Sequence, residues 1–141
     1  FIKKEGGGKT RLINNELILS NSASPAIPRI VKIKSGIHDG WLLIKDFEYS
    51  LSKEFMYNYF ISERPKILNL GSGSIFKNLK SDYIKSLKLV LPDQLILCKA
   101  NEKFMNLSEK IYINTLENKK LTELRDWLLP MLMNGQVTVK D

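Results

Sequence analysis

The chain has 141 residues, 43% of them hydrophobic, with 22 Lys/Arg against 15 Asp/Glu. This is the size of one domain with a modest core, too apolar throughout for intrinsic disorder and without an apolar run able to span a bilayer. One cysteine, Cys98, excludes an internal disulfide and a cysteine-built metal cluster, and points to a cytoplasmic setting.

The positive excess is local. Residues 1–92 hold 15 Lys/Arg and 8 Asp/Glu, whereas residues 93–141 hold 7 of each. A basic surface attracts polyanions by counterion release, and nucleic acid is the commonest such partner. Excess lysine also serves solubility, so charge alone decides little. The chain opens on Phe1 rather than methionine, as expected of a fragment or an incompletely read chain.

In chain order, short β-like runs separated by polar turns come first. Glu16–Ser20 (ELILS), Arg29–Lys34 (RIVKIK) and Trp41–Ile44 (WLLI) read as strands. In the second of these, Lys32 and Lys34 share one strand face. Lys53–Ser62 predicts a short helix with Phe55, Tyr59 and Phe60 inward, stopped before Pro65. Ile67–Leu70 is a further strand candidate. Ser86–Leu91 alternates, with Leu87, Leu89 and Leu91 on one side and Ser86 and Lys88 on the other. The expected class is mixed α/β, a small twisted-sheet layer over residues 1–92.

Past Pro92 the period changes. Asp93 is placed to cap a helix continuing to about Leu129, roughly 50 Å of it. Leu97, Ala100, Phe104, Leu107 and Ile111 follow a 3–4 spacing that runs on through Asn114, Asn118, Leu121, Arg125 and Leu128. This is a coiled-coil seam with three polar interruptions, which weaken pairing but penalise wrong registers. Pro130 is expected to end or kink the helix, and Asn134–Gly135 to supply a turn. A helix of this length needs a second long helix against its stripe, unless it folds flat across its own domain.

Two motifs fail. Gly6–Thr10 (GGGKT) ends as a phosphate loop does, but Lys3 stands where the first glycine is required. His38–Asp39 suggests metal-dependent chemistry, yet His38 is the chain's single histidine. No serine or cysteine has a histidine-plus-carboxylate relay, so no catalytic constellation is expected.

One motif holds. Leu121–Gly135, LTELRDWLLPMLMNG, resembles the signature closing the helical conserved region of DNA-specificity subunits of type I restriction–modification enzymes. The matching positions are Leu124, Arg125, Asp126, Leu128, Leu129, Pro130, Leu132 and Gly135. Upstream, Gly71–Leu79 (GSGSIFKNL) with Ser86–Pro92 (SLKLVLP) looks like the end of that family's target-recognition domain. Ile37–Trp41 (IHDGW) and Leu17–Ser20 (LILS) resemble earlier pieces. The resemblance implies a partial target-recognition domain over 1–92, its first portion absent, and a conserved spacer helix over 93–141. It corresponds to the carboxy-terminal part of such a subunit.

What the resemblance implies is a non-catalytic reader of half of a split target in double-stranded DNA. Its helix would pair with a second conserved helix, from the same subunit or from a second copy. Leu97, Phe104, Leu107, Ile111, Leu121 and Leu128 would make that pairing. Modification and restriction subunits would assemble around it, and neither the methyl donor nor ATP would bind this chain, so no cofactor is expected. Within the first part, Ser72, Gly73 and Ser74 with Lys77 and Lys80 suit phosphate contact. Ser20, Asn21 and Ser22 with Arg29 suit base edges, and Lys32 and Lys34 suit backbone contact. Trp41, Tyr57 and Phe60 are expected in the core. The rival readings are a homodimeric coiled-coil interaction module with incidental DNA affinity, and an ATP- or phosphate-handling enzyme built on GGGKT.

Overall fold

The structure, a computed structural model, describes residues 11–22, 24–69, 79 and 81–138. The chain divides into two compact units after Glu102. Mixed architecture is observed: two small antiparallel sheets, two helices that accompany them, and a long carboxy-terminal helix.

The centre of the first unit is β2 (Glu16–Ser20), flanked by β3 (Pro28–Val31) and β5 (Trp41–Ile44) in the order β3-β2-β5. Both neighbours run antiparallel, with Ile18 opposite Arg29 on one side and Leu43 on the other. Side chains alternate across a strand. Leu17 and Leu19 therefore face one way, into a core with Phe60 and Ile67 of α1 (Lys53–Asn69), Ala26 and Leu79. Ile18 faces the other way, against Ile13 and Ile37. Those two belong to β1 (Arg11–Ile13) and β4 (Ser35–Ile37), which pair as a separate two-stranded sheet. Burial on both faces explains why the three central positions of ELILS are all aliphatic. Trp41 and Tyr57 are half-buried against these cores, as the sequence suggested.

Four sequence expectations are corrected. The strand at Arg29–Lys34 ends at Val31, because its partner β2 begins at Glu16 and leaves nothing for Lys32–Lys34 to pair with. Lys32 and Lys34 are thus not on a strand face. Helix α1 runs through Pro65 to Asn69 and absorbs the strand proposed from Ile67. Proline removes one ladder bond, but Ile67 lies two turns after Phe60 on the same stripe and both are buried. That burial outweighs the defect. At Ser86–Leu91 there is no strand: Ser86 closes α2 (Ser81–Ser86), and the residues after it join no sheet. Instead the Tyr59 hydroxyl donates to the Lys88 carbonyl at 3.2 Å. The alternation survives only as burial, with Leu87 and Leu89 half-buried and Lys88 and Val90 exposed.

The fourth correction concerns α3 (Gln94–Met133), which runs past the expected end near Leu129 and includes Pro130. Its start is as expected: Asp93 Oδ1 accepts the Leu95 N–H at 2.9 Å, a side-chain N-cap. After Pro130 the ladder resumes, with Asn134 N–H donating to Pro130 O at 3.0 Å. Gly135, at φ 68°, then closes the helix. Gln136 N–H reaches Met131 O and Gly135 N–H reaches Leu132 O, the paired bonds of a Schellman cap. The expected turn at Asn134–Gly135 is therefore this cap. In the second unit Leu107, Ile111, Leu121 and Trp127 are 56%, 66%, 61% and 59% exposed.

Candidate nucleic-acid interface

Register decides which candidate residues meet. Ser20, the last residue of β2, pairs with Trp41, the first of β5, and Leu19 pairs with Pro28, the first of β3. The β2–β3 connection and the turn 38–40 therefore lie at the same end of the sheet. Asn21, Ser22, His38, Asp39 and Gly40 gather at this tip, and Arg29 enters β3 beside it.

The tip is tied together by backbone bonds. Asn21 N–H donates to Gly40 O at 2.9 Å, and Asn21 Nδ2 reaches Asp39 O at 3.4 Å. Leu79 N–H donates to Asn21 O at 2.8 Å, bringing that buried residue to the same place. Ser20 is 7% exposed and organises the loop from inside: its hydroxyl donates to Ser24 O and accepts the Ile27 N–H. Two acceptor-rich residues open the loop, and Ala26 sustains a positive φ of 62° within it. Among the described residues Asn21 Oδ1 is buried without a hydrogen-bond partner.

Gly40 has a definite steric reason. A Cβ there would lie 2.4 Å from His38 Cε1, 2.9 Å from His38 Nδ1 and 3.3 Å from Ser22 Oγ. The imidazole rests against the glycine backbone, and Gly40 N–H donates to His38 Nδ1 at 2.9 Å. Asp39 Oδ1 stands 3.6 Å from the same nitrogen. Because Nδ1 accepts the Gly40 N–H, it carries no hydrogen of its own in this geometry, and a hydrogen on the ring sits on Nε2.

Lys32 and Lys34 lie elsewhere. They follow the last residue of β3, at the opposite end of the three-stranded sheet from the tip. Lys45, next after β5, and Lys53, whose ammonium donates to Asn15 O at 3.1 Å, belong to that end as well. The candidate residues therefore separate into a polar tip with Arg29 and a lysine-bearing far end. Ser72, Gly73, Ser74, Lys77 and Lys80 lie outside the described residues, as does the GGGKT segment. Sequence reading missed His38–Asp39 as part of the tip. The signals were a short turn between two strands and the family-like run Ile37–Trp41, neither of which places the pair beside Asn21 and Ser22.

Along α3 the seam residues differ. Leu97 is buried, Ala100, Phe104 and Leu128 are half-buried, and Leu107, Ile111 and Leu121 are exposed. Also exposed are Ile113, Leu116, Leu124 and Trp127, a second apolar row on the same helix. Among the described residues no three His, Cys, Asp or Glu side chains come together as metal ligands.

No protein-family profile matches the chain. It is 35% identical over 67 residues, 48% of its length, to the specificity subunit of the type I restriction enzyme HindI of Haemophilus influenzae. It is 24% identical over 130 residues, 90% of its length, to a protein described as the specificity subunit of the type I restriction enzyme MjaX of Methanocaldococcus jannaschii. The matches span 15% and 30% of the lengths of these two relatives.

Proposed function

We propose that this chain is part of a type I restriction specificity subunit, acting in DNA-sequence recognition and as a scaffold, without catalytic chemistry of its own. The observation that carries the reading is the extent of the likeness: 130 residues similar to one such subunit, hence both the sheet-bearing part and the long helix. Basic charge concentrated before residue 93 and a neutral helix bearing exposed apolar rows support the same division of labour.

In this reading residues 1–92 form a target-recognition part and residues 93–141 a spacer. Asn21, Ser22 and Arg29 approach base edges in the major groove, where amide and guanidinium groups meet the acceptors of purines. Ser20 shapes their loop. Lys32 and Lys34, and in the segment 71–80 Ser72, Gly73, Ser74, Lys77 and Lys80, contact phosphates and fix register. Leu97, Phe104, Leu107, Ile111, Leu121 and Leu128 pair α3 with a second conserved helix, whose source is the same subunit or another copy. Helical rise per residue is nearly constant, so such a pair holds two recognition parts at a fixed distance. Modification and restriction subunits assemble around it, in the cytoplasm, and supply the methyl-donor and ATP chemistry.

A salt-series titration on duplex DNA, with the chain assembled with its modification subunit, tests the electrostatic part. The double variant Lys77→Glu, Lys80→Glu is expected to bind about tenfold or more weakly and with a shallower salt slope, since each lost phosphate contact lowers that slope by roughly one. Unchanged affinity across the series would contradict the assignment.

A further inference from the structure

We infer that His38 and Asp39 form a donor–acceptor pair that reads a base edge in duplex DNA, a specificity-determining role that rests on the function proposed above. In this structure the imidazole is held on one side only. Nδ1 accepts the Gly40 N–H at 2.9 Å, which places the ring's single hydrogen on Nε2 as an outward donor. The ring lies against Gly40, where an added Cβ would displace it. Yet the His38 side chain is 72% exposed, and that of Asp39 is fully so.

An exposed ring fixed in tautomer and seated on a glycine adds little to the core. It does present one N–H in a defined direction. Asp39 places a carboxylate next to the same ring, with Oδ1 3.6 Å from Nδ1, on the turn that carries the Nε2 donor. The turn is anchored to the neighbouring loop through Asn21, by the bonds to Gly40 O and Asp39 O. A donor and an acceptor on one exposed turn at the end of a sheet match an acceptor beside an amino group.

That pattern is what base edges offer in the major groove. The N7 or O6 of a purine accepts from the imidazole, and N4 of cytosine or N6 of adenine donates to the carboxylate. A phosphate contact is disfavoured at this spot, because the exposed Asp39 charge repels the DNA backbone. The pair therefore adds sequence preference and little overall affinity.

Selection from a random duplex pool by the full chain with its modification subunit tests this with three variants. In His38→Asn the side-chain oxygen replaces Nδ1 as partner of Gly40 N–H while the outward donor is lost. In His38→Gln an amide nitrogen replaces Nε2, and Asp39→Ala removes the acceptor. Wild type is expected to enrich a fixed block. Asp39→Ala and His38→Asn are expected to lose preference about fivefold or more at one position of that block, other positions being unchanged, with partial recovery in His38→Gln. If His38→Asn and Asp39→Ala select the same block with the same preferences, the His38–Asp39 pair is not a reader. If wild type enriches no block, both this inference and the proposed function fall together.

Discussion

Tyr59 joins two parts of the first unit through one side chain. Its ring meets Phe60 edge-on at a centroid distance of 5.6 Å, and its hydroxyl donates to the Lys88 carbonyl. Burial raises its pKa, the nearby Glu63 charge raises it further, and Lys66 partly opposes them. A phenol whose pKa is higher folded than unfolded keeps its proton longer in the native state. Its contribution is then complete below the unfolded value, near 10, and is lost as pH rises through the folded value. Tyr59→Phe is expected to cost about 1 kcal/mol at neutral pH through the lost hydrogen bond. It should also make the alkaline decline of stability shallower than in wild type. Denaturant titrations at pH 7 and about pH 11 check both points; parallel declines would contradict the second. At this scale the sequence was least legible. ELILS announces Ser20 as a strand end, but nothing local says that its hydroxyl ties Ser24 to Ile27. The pairing of His38 with Gly40 is a product of the turn's geometry, which residue type alone does not specify.

At the scale of elements, β2 was legible because both its faces are buried and every central residue had to be aliphatic. Leu17, fully buried between β3, β5 and α1, is its most sensitive position. Leu17→Ala is expected to destabilise the fold by about 2–5 kcal/mol, measured by urea unfolding. A loss under about 1 kcal/mol would mean that the core collapses around the gap. The two prolines misled for one reason. Each removes a single ladder bond, and tertiary burial at Ile67 or a complete cap at Gly135 sustains the helix beyond it. ILNL and SLKLVL were ambiguous because short apolar runs carry no decisive period, and pairing depends on a neighbour that the sequence does not display. In α3 the spacing gave the helix and its Asp93 cap correctly. Polar Asn114, Asn118 and Arg125 in the seam, beside the apolar row Ile113, Leu116, Leu124 and Trp127, make this a helix with two sticky sides. Leu121→Glu places a charge in the seam without touching the sheet core. It should reduce helix-mediated association about tenfold or more by sedimentation, with the unfolding midpoint of the first unit unchanged. Association at wild-type strength would remove Leu121 from the pairing surface.

At the scale of the whole chain, charge and period suggest a basic first part and a neutral helical part, whereas the compact units divide after Glu102. The identity of its partners was not readable from either. Charge says polyanion and spacing says helix, whereas the proposed type I restriction role rests on the resemblance of motifs between Leu17 and Gly135 and on a likeness of 24% identity over 130 residues. Among the described residues no helix is long and apolar enough to cross a membrane. In the proposed function, recognition depends on how the tip meets the groove and on the shape of the DNA, which is why the target is not written in the residue types. The most direct measurement is selection from a random duplex pool by this chain with its modification subunit, near physiological salt. Enrichment of one short, fixed sequence block is the predicted result. Salt-sensitive binding with no enriched block would contradict sequence recognition and leave a basic scaffold that holds proteins together.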